Sequence, residues 1–368
     1  MRVDFVITEL FVGGAERCLT ELALGLAAKG DEVRVFSLGS LPTGEQTLLL
    51  DRLTDAGISV ASGGADRPTQ FFKAYRQLKR WLSESPPDVC QTFLFHANVL
   101  GTLAAKGVGV KSRVGGIRVA EARRFRYRVE RYAAKRMTSV VCVSRAVQSF
   151  VAQHLSCEPP KSLVIPNSVD VARFSAAQLF DWSDLNWPAD ACVSLFVGRL
   201  HPQKGIELLQ SKIDQLAPRD SGRKLLLVGD GPLRGQLESW AAEIGADRVQ
   251  ILPWQKDVSP LMKSTRLLIL PSRYEGMPNV IMEAMAAGRP VVCSQVEGSH
   301  ELLRHDWDRQ SFPIGDAGAM MDRAEPFLKE DSLAGDAGKE NLQHIEANFS
   351  ITAMVDAYRN HYRQLVSF

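Results

Sequence analysis

Cysteines at metal-binding or redox spacing are missing from this sequence. Its six cysteines (18, 90, 142, 157, 192 and 293) are scattered with no Cys-x-x-Cys, which fits reduced thiols in a cytosolic protein better than a disulfide frame or a zinc site. Long apolar runs are missing too: none approaches the ~20 residues needed to cross a bilayer. The opening stretch from Met1 to Gly14 is broken by Asp4 and Glu9 and reads as a strand and loop, not a signal peptide. Charge of one sign is scarce, for the net value is only +2, and the whole-chain balance calls for neither nucleic acid nor a membrane. What remains is an ordinary globular composition, 45% hydrophobic and 23% charged. Its 368 residues suit two domains, each large enough for its own core.

Short apolar runs alternate with helical patterns along the chain. Val3–Thr8, Val33–Leu38, Val89–Thr92, Arg113–Ile117, Ser139–Val143 and Ser162–Ile165 read as strands, with helices over Ala15–Lys29 and Phe71–Ser83. A looser stretch from Phe174 to Asp190 has no clean period. The alternation then restarts with Val193–Val197, Lys224–Val228, Val249–Leu252, Leu267–Leu270 and Val291–Ser294, and Ile351–Val366 reads as a final helix. Repeated strand–helix units predict parallel sheets covered on both faces. The expected organisation is an α/β chain of two Rossmann-like domains, residues 1–172 and 191–350, joined by a linker at 173–190 and followed by a C-terminal helix within 351–368. Two such domains place a cleft between the carboxyl ends of their strands, where open α/β sheets bind ligands.

The most informative segment runs from Arg273 to Glu301. Two carboxylates, Glu275 and Glu283, bracket a helix start at Gly276-Met277-Pro278-Asn279, and Gly288 with Pro290 stops the helix. Pro278 suits the first helical position. Met277 has no side-chain acceptor to cap the exposed N–H groups, so the positive helix end is free for phosphate or a sugar hydroxyl. Were 275–283 helical throughout, the ~1.5 Å rise would put the two Cα atoms about 12 Å apart. Glycosidase carboxyl pairs sit roughly 5–9.5 Å apart, which argues against hydrolysis.

Other segments add to this one. After Val197, the run Gly198-Arg199-Leu200-His201-Pro202-Gln203-Lys204-Gly205 can deliver Arg199 and Lys204 to one diphosphate, Arg as a fork and Lys as a point charge. Gly229-Asp230-Gly231-Pro232 breaks the dinucleotide fingerprint, because Arg234 stands where the third glycine belongs. Gly229 and Gly231 can admit a ligand to the backbone or simply make a strand-to-helix turn. Gly13 and Gly14 follow the first strand and open a helix, again as a ligand approach or a plain tight turn. His96 lies just after a strand, as a structural or an active-site residue. From Arg118 to Arg136, eight basic residues face two glutamates, with Phe125, Tyr127 and Tyr132 interleaved. Such a segment, with Arg118, Arg123 and Arg124 at its head, is either a solvated helix face or a surface for anionic lipid or a phosphorylated acceptor. No stacking or groove-reading module accompanies it, so nucleic acid is not expected.

Together these motifs resemble glycosyltransferase family 4, retaining nucleotide-sugar transferases of the GT-B fold, over nearly the whole chain. The matching residues are Glu275-x7-Glu283 with its Gly-Met-Pro-Asn and Ala-Gly-Arg-Pro-Val-Val neighbours, Gly-Arg-Leu with Lys204-Gly205, Gly-Asp-Gly-Pro, and Gly-Gly-Ala-Glu at residues 13–16. The resemblance implies a donor bound mainly to the second domain, with Glu283 on the ribose diol and Glu275 with the amides of 276–279 on sugar hydroxyls. It gives Arg199 and Lys204 the diphosphate, puts His96 near the donor sugar, faces Gly13 and Gly14 to the donor across the cleft, and returns the last helix to the first domain. Ser168 and Gln91 stand where relatives carry glycine and histidine; a positive φ at 168 would strain a serine. The expected partners are a nucleotide diphosphate sugar and a glycan, lipid-linked or phosphorylated acceptor. No cofactor and no essential divalent ion are expected, since the basic clamp can do a metal's work. The expected location is the cytoplasm, with the inner membrane face open as a docking place. A nucleotide-sugar epimerase and a non-catalytic nucleotide-sugar-binding module remain as alternatives.

Overall fold

Seven parallel strands form the first sheet: β1 (Arg2–Ile7), β2 (Glu32–Ser37), β3 (Ser59–Ser62), β4 (Val89–Phe93), β5 (Ser112–Ile117), β6 (Ser139–Cys142) and β7 (Ser162–Val164), in the order β3-β2-β1-β4-β5-β6-β7. Six parallel strands form the second: β8 (Cys192–Val197), β9 (Arg223–Val228), β10 (Val249–Leu252), β11 (Leu267–Leu270), β12 (Val291–Ser294) and β13 (Ser311–Phe312), in the order β10-β9-β8-β11-β12-β13. This computed structural model describes residues 1–119 and 124–367. Central strands such as β4 and β11 are buried along their whole length, as apolar runs covered on both faces must be. The edge strands β3 and β13 carry no apolar run, which is why the sequence does not announce them.

The chain divides into two compact units, one from Met1 to Ser168 together with the segment from Ile351, the other from Val169 to Ser350. The segment expected as a linker, 173–190, is part of the second unit. Trp182 and Trp187 are each 3% exposed, and the Trp187 indole N–H donates to the Ala246 carbonyl at 2.8 Å. Burying two indoles anchors a segment that has no helical or strand period.

The final helix, Ile351–Val366, packs on the helix Gly14–Ala28 inside the first unit. Tyr358 and Tyr362 are fully buried, and the Tyr362 hydroxyl donates to Gln91 Oε1 at 2.9 Å. Arg359 pairs with Asp31 at 2.7 Å. Gln91 therefore serves as the polar anchor of this helix. Ser168 is not among the non-glycine residues at positive φ, so the serine there is unstrained.

In each sheet the strand order reverses at one place, between β1 and β4 in the first and between β8 and β11 in the second. At such a switch point neighbouring loops leave in opposite directions and open a crevice beyond the strand ends. The loops there are 8–13 and 94 in the first unit, and 198–205 and 271–278 in the second. They carry Gly13, Gly198, Arg199, Lys204, Glu275, Gly276, Met277 and Pro278 of the residues that the sequence singles out.

Candidate functional site

In the second unit the two switch-point loops are tied to each other. The Arg273 amide donates to the Gln203 carbonyl at 2.8 Å, and the Gln203 side-chain amide donates to the Tyr274 carbonyl at 2.9 Å. His201 caps the short 3-10 turn Pro202–Lys204 through its Nδ1, which accepts from the Gln203 amide at 3.1 Å. That turn aims Lys204 at Glu275: Lys204 Nζ donates to Glu275 Oε1, and the Ser272 hydroxyl donates to the same oxygen at 2.8 Å. The two charged side chains are 17% and 12% exposed. On the far side, the Glu275 amide donates to Glu297 at 3.4 Å.

Glu275 and Lys204 are thus brought together, whereas the expected clamp pairs Lys204 with Arg199. Arg199 projects from the same loop into solvent. In the structure the direct charged partner of Lys204 is therefore Glu275.

The site helix spans Asn279–Ala286 and no side chain caps its start. Pro278 is the residue before the helix, not its first residue. Glu275 therefore lies in loop, and the 12 Å separation that assumes a continuous helix does not apply. Gly276, Met277 and Pro278 are buried beneath the loop after β12; a Cβ on Gly298 would fall 2.4 Å from the Gly276 carbonyl oxygen. Glu283 sits inside the helix, 8% exposed.

The glycines of the neighbouring loops serve backbone packing. Gly229 (φ +146) and Gly231 (φ +157) adopt conformations that side chains rarely take, and a Cβ on them would fall 2.0 Å from the Gly198 oxygen and 2.4 Å from the Leu200 oxygen. Leu200 accepts from the Leu233 amide at 3.0 Å and donates to Asp230 at 2.9 Å. The 198–200 and 229–231 loops thus interlock and fix where Arg199 leaves the sheet. Of the two readings open for Gly229 and Gly231, loop packing is the one with contacts behind it.

In the first unit, Gly13 precedes the helix that starts at Gly14. Its φ of −148° suits any residue, so the reason for glycine is space: a Cβ would fall 2.3 Å from Glu16 Oε2. Glu16 folds back over the helix start, 7% exposed. Burial pushes its carboxyl up to about 7, with Glu9 adding and hydrogen bonds from the helix amides and the charge of Arg118 opposing. In the sequence Glu16 stands out only as the last letter of Gly-Gly-Ala-Glu; an acid in the first turn of a helix behind two glycines is the signal that marks it.

His96 is the second residue of the helix Phe95–Gly107, stacked on Phe71 at 4.6 Å. Partial burial, and then the Arg126 guanidinium, hold its imidazole below the ordinary histidine range. Leu94 before it has φ +72, a conformation costly for a branched side chain and of the kind that gathers at functional loops.

The basic segment is only partly as expected. Arg118 is buried, 8% exposed, with its guanidinium over the Phe93 ring at 5.7 Å, and it lines a pocket with Leu94, Phe95, Asn98, Arg126 and Glu130 instead of standing on an exposed helix face. Arg123 lies outside the described residues. Arg124 begins the helix Arg124–Ala134, on which Arg128, Arg131 and Tyr132 are exposed, as is Lys135 in the turn after it. An Asp-x-Asp triplet is present at Asp306-Trp307-Asp308, and Asp306 is occupied by Arg309 and by the Gln310 amide at 2.9 Å.

The chain matches the family described as Glycosyltransferase Family 4 over residues 12–173 and that described as Glycosyl transferases group 1 over 191–330. It is 27% identical over 312 residues to the Escherichia coli UDP-Gal:alpha-D-GlcNAc-diphosphoundecaprenol alpha-1,3-galactosyltransferase, covering 80% of each chain. It is 31% identical over 196 residues to the lipopolysaccharide core biosynthesis glycosyltransferase LpsE of Rhizobium meliloti, a match of 53% of this chain and 56% of that one. Anabaena Alr3699/HepE, solved with UDP-glucose, superposes with a TM-score of 0.85 at 20% identity, over 99% of this chain and 100% of that one, and shows the fold. With the charged loops at the switch point of each sheet, these matches make the chain a member of the family 4, group 1 glycosyltransferases, enzymes of the GT-B fold.

Proposed function

We propose that the chain transfers a sugar from a uridine diphosphate sugar to a glycan acceptor carried on a polyprenyl diphosphate, with retention and without a divalent ion. The observation that carries this reading is the Lys204–Glu275 pair beside the uncapped start of the site helix. An incoming diphosphate outcompetes a single carboxylate for Lys204, because it brings more charge and more acceptor oxygens to the same ammonium. Glu275, released, is then free to accept sugar hydroxyls. Arg199, unpaired with any carboxylate among the described residues, adds its fork from solvent, and the helix amides and these two cations stabilise charge on the departing diphosphate. Glu283 takes the ribose diol. The same cations supply what a metal would, so chelation should leave turnover intact.

The donor base and the acceptor class come from the E. coli relative, which uses UDP-Gal and a diphosphoundecaprenol-linked sugar by its name. A polyprenyl-linked acceptor sits in a membrane, and the first unit has a face for it. Two helices, Phe71–Glu84 and Arg124–Ala134, flank and pack on Phe95–Gly107. They expose Phe72 (71%) with Lys73, Arg76 and Lys79, and Tyr132 (53%) with Arg128 and Arg131, followed by Lys135 in the turn after the second helix. Basic residues around exposed aromatics suit an anionic interface.

The test is a donor panel (UDP-galactose, UDP-glucose, UDP-N-acetylglucosamine, GDP-mannose) with a short-chain polyprenyl diphosphate sugar, with and without EDTA. The expected result is an α-linked product from one UDP sugar, unaffected by EDTA and lost in Glu283→Ala. Donor consumption without acceptor would favour an epimerase; saturable binding without product would favour the non-catalytic module; dependence on magnesium would overturn the metal-independent clamp.

A further inference from the structure

At the opposite end of the second sheet's strands, where β8, β11 and β12 begin, lies a polar cavity of about 300 Å³ with Thr265, Arg266, Gly288, Arg289, Asp331 and Gly335 in its walls. It belongs to none of the loops described above. A strand of four residues rises ~3.3 Å per residue, so β11 alone separates the cavity from the Ser272–Glu275 loop by on the order of 13 Å.

Three cations converge there. Arg266 and Arg289 line the cavity, and Lys263 stands behind them. One Arg289 Nη donates to the Lys263 carbonyl, while Arg289 Nε is buried without a hydrogen-bond partner among the described residues. Burial and then the neighbouring Arg266 charge hold Arg289 below the ordinary arginine range; burial and then Arg289 do the same for Lys263. Against them the cavity offers one carboxylate, Asp331, which pairs with Arg266 at 2.7 Å from a side chain 88% exposed. Asp331 also opens the helix Asp331–Asn348, whose start has no side-chain cap and whose first turn lines the cavity. The carbonyl ends of two other helices approach from the other side, but Lys263 Nζ already answers Ala287 at 3.4 Å and Arg289 answers Lys263. The balance favours an anion. Packing like charges together with so little compensation is unfavourable unless something negative shares the place.

We propose that this cavity binds a phosphate group of a small soluble phosphomonoester, held by Arg266 and Arg289, with Asp331 keeping its place until the ligand arrives. Phosphate offers each guanidinium the two-oxygen edge that its fork fits, and the helix start adds amide donors. One element connects this cavity to the transfer site. The site helix Asn279–Ala286 runs from the Glu275 loop at one end to Gly288 and Arg289 at the other, so a phosphate here bears on the helix that carries Glu283.

The experiment is calorimetric titration of the full chain with orthophosphate and glycerol 3-phosphate at matched ionic strength, with phosphatidylglycerol vesicles as a separate arm. Both soluble probes should bind wild type. Arg266→Gln should weaken them about tenfold, equivalent to ~1.4 kcal/mol. Asp331→Asn should tighten them several-fold by removing the competing carboxylate, a change in the opposite direction that no general loosening of the fold would produce. Arg199→Gln/Lys204→Gln should leave this binding in place, which separates it from phosphate in the donor site. Arg289→Gln is the weaker variant to rely on, because Arg289 also braces Lys263. Unchanged affinity in Arg266→Gln, or loss in the Arg199→Gln/Lys204→Gln control instead, would overturn the site. Arg266-dependent capture of vesicles without any response to glycerol 3-phosphate would overturn the soluble ligand in favour of a lipid headgroup.

Discussion

Replacing Lys204 with methionine should be felt in the fold before any substrate is added. Lys204 and Glu275 are 17% and 12% exposed, so each charge has left most of its water behind. Without Lys204, Glu275 keeps the Ser272 hydroxyl and loses its only direct cation among the described residues. Stranding a charge in a fully buried pair costs ~3–5 kcal/mol, and losing an exposed pair costs ~0–1 kcal/mol. This pair lies between, at roughly 1–3 kcal/mol. For a unit the size of Val169–Ser350, each kcal/mol moves Tm by ~2–4 °C, so the expected drop is roughly 2–12 °C. The assay is scanning calorimetry of wild type, Lys204→Met, Glu275→Gln and the double variant, following the transition that UDP shifts. The double variant should recover at least half of the loss, because Glu275→Gln removes the stranded charge. The donor readout should behave otherwise. Saturating UDP at 100 times its dissociation constant stabilises wild type by ~2.7 kcal/mol, and both Lys204 variants should lose most of that. If the two single effects simply add, within ~0.5 kcal/mol, the pair is not an energetic unit and the exchange mechanism built on it falls.

Three further outcomes follow from other parts of the structure. Glu16 holds its proton up to about 7 in the folded chain against 4.5 as the reference, so the folded state binds more protons than the unfolded one between those values and stability falls as pH rises through them. The span is worth at most about 3 kcal/mol; Glu16→Gln should abolish the slope, and melting curves from pH 5 to 8 with identical slopes in both proteins would refute it. Gly231→Ala puts a methyl group 2.4 Å from the Leu200 oxygen at φ +157, and should weaken UDP binding and lower the melting temperature of the second unit by several degrees, whereas Gly235→Ala, with open space around it, should do neither. Tyr362→Phe leaves the buried Gln91 Oε1 without its donor, and should destabilise the first unit by ~1–3 kcal/mol while UDP affinity is unchanged.

What could be read from the sequence divides along a physical line. Parallel strands buried on both faces advertise themselves as apolar runs, so β1, β8 and β11 stand out, while the short edge strand β3, Ser-Val-Ala-Ser, does not. The loops Gly198–Gly205 and Arg273–Asn279 were legible because charge and glycine together are rare at a strand end. The reasons for individual residues were less so. Gly13 and Gly231 are small because a carboxylate and a carbonyl fill the space beside them, a fact about neighbours up to thirty-one positions away that no local pattern carries. Arg118 reads as the head of a basic surface and is buried, because it directly follows β5 and lays its guanidinium over the Phe93 ring. Lys204 reads as half of a cationic clamp, yet the folded chain gives it to Glu275. The glycines and Arg118 depart from the sequence reading for reasons of packing, Lys204 for a reason of charge. An unliganded fold must satisfy the charges of its own loops. On the two ligand readings proposed above, Glu275 at Lys204 and Asp331 at Arg266 are the carboxylates that a phosphate has to displace, and the strength with which each holds its cation is subtracted from the affinity that the phosphate shows.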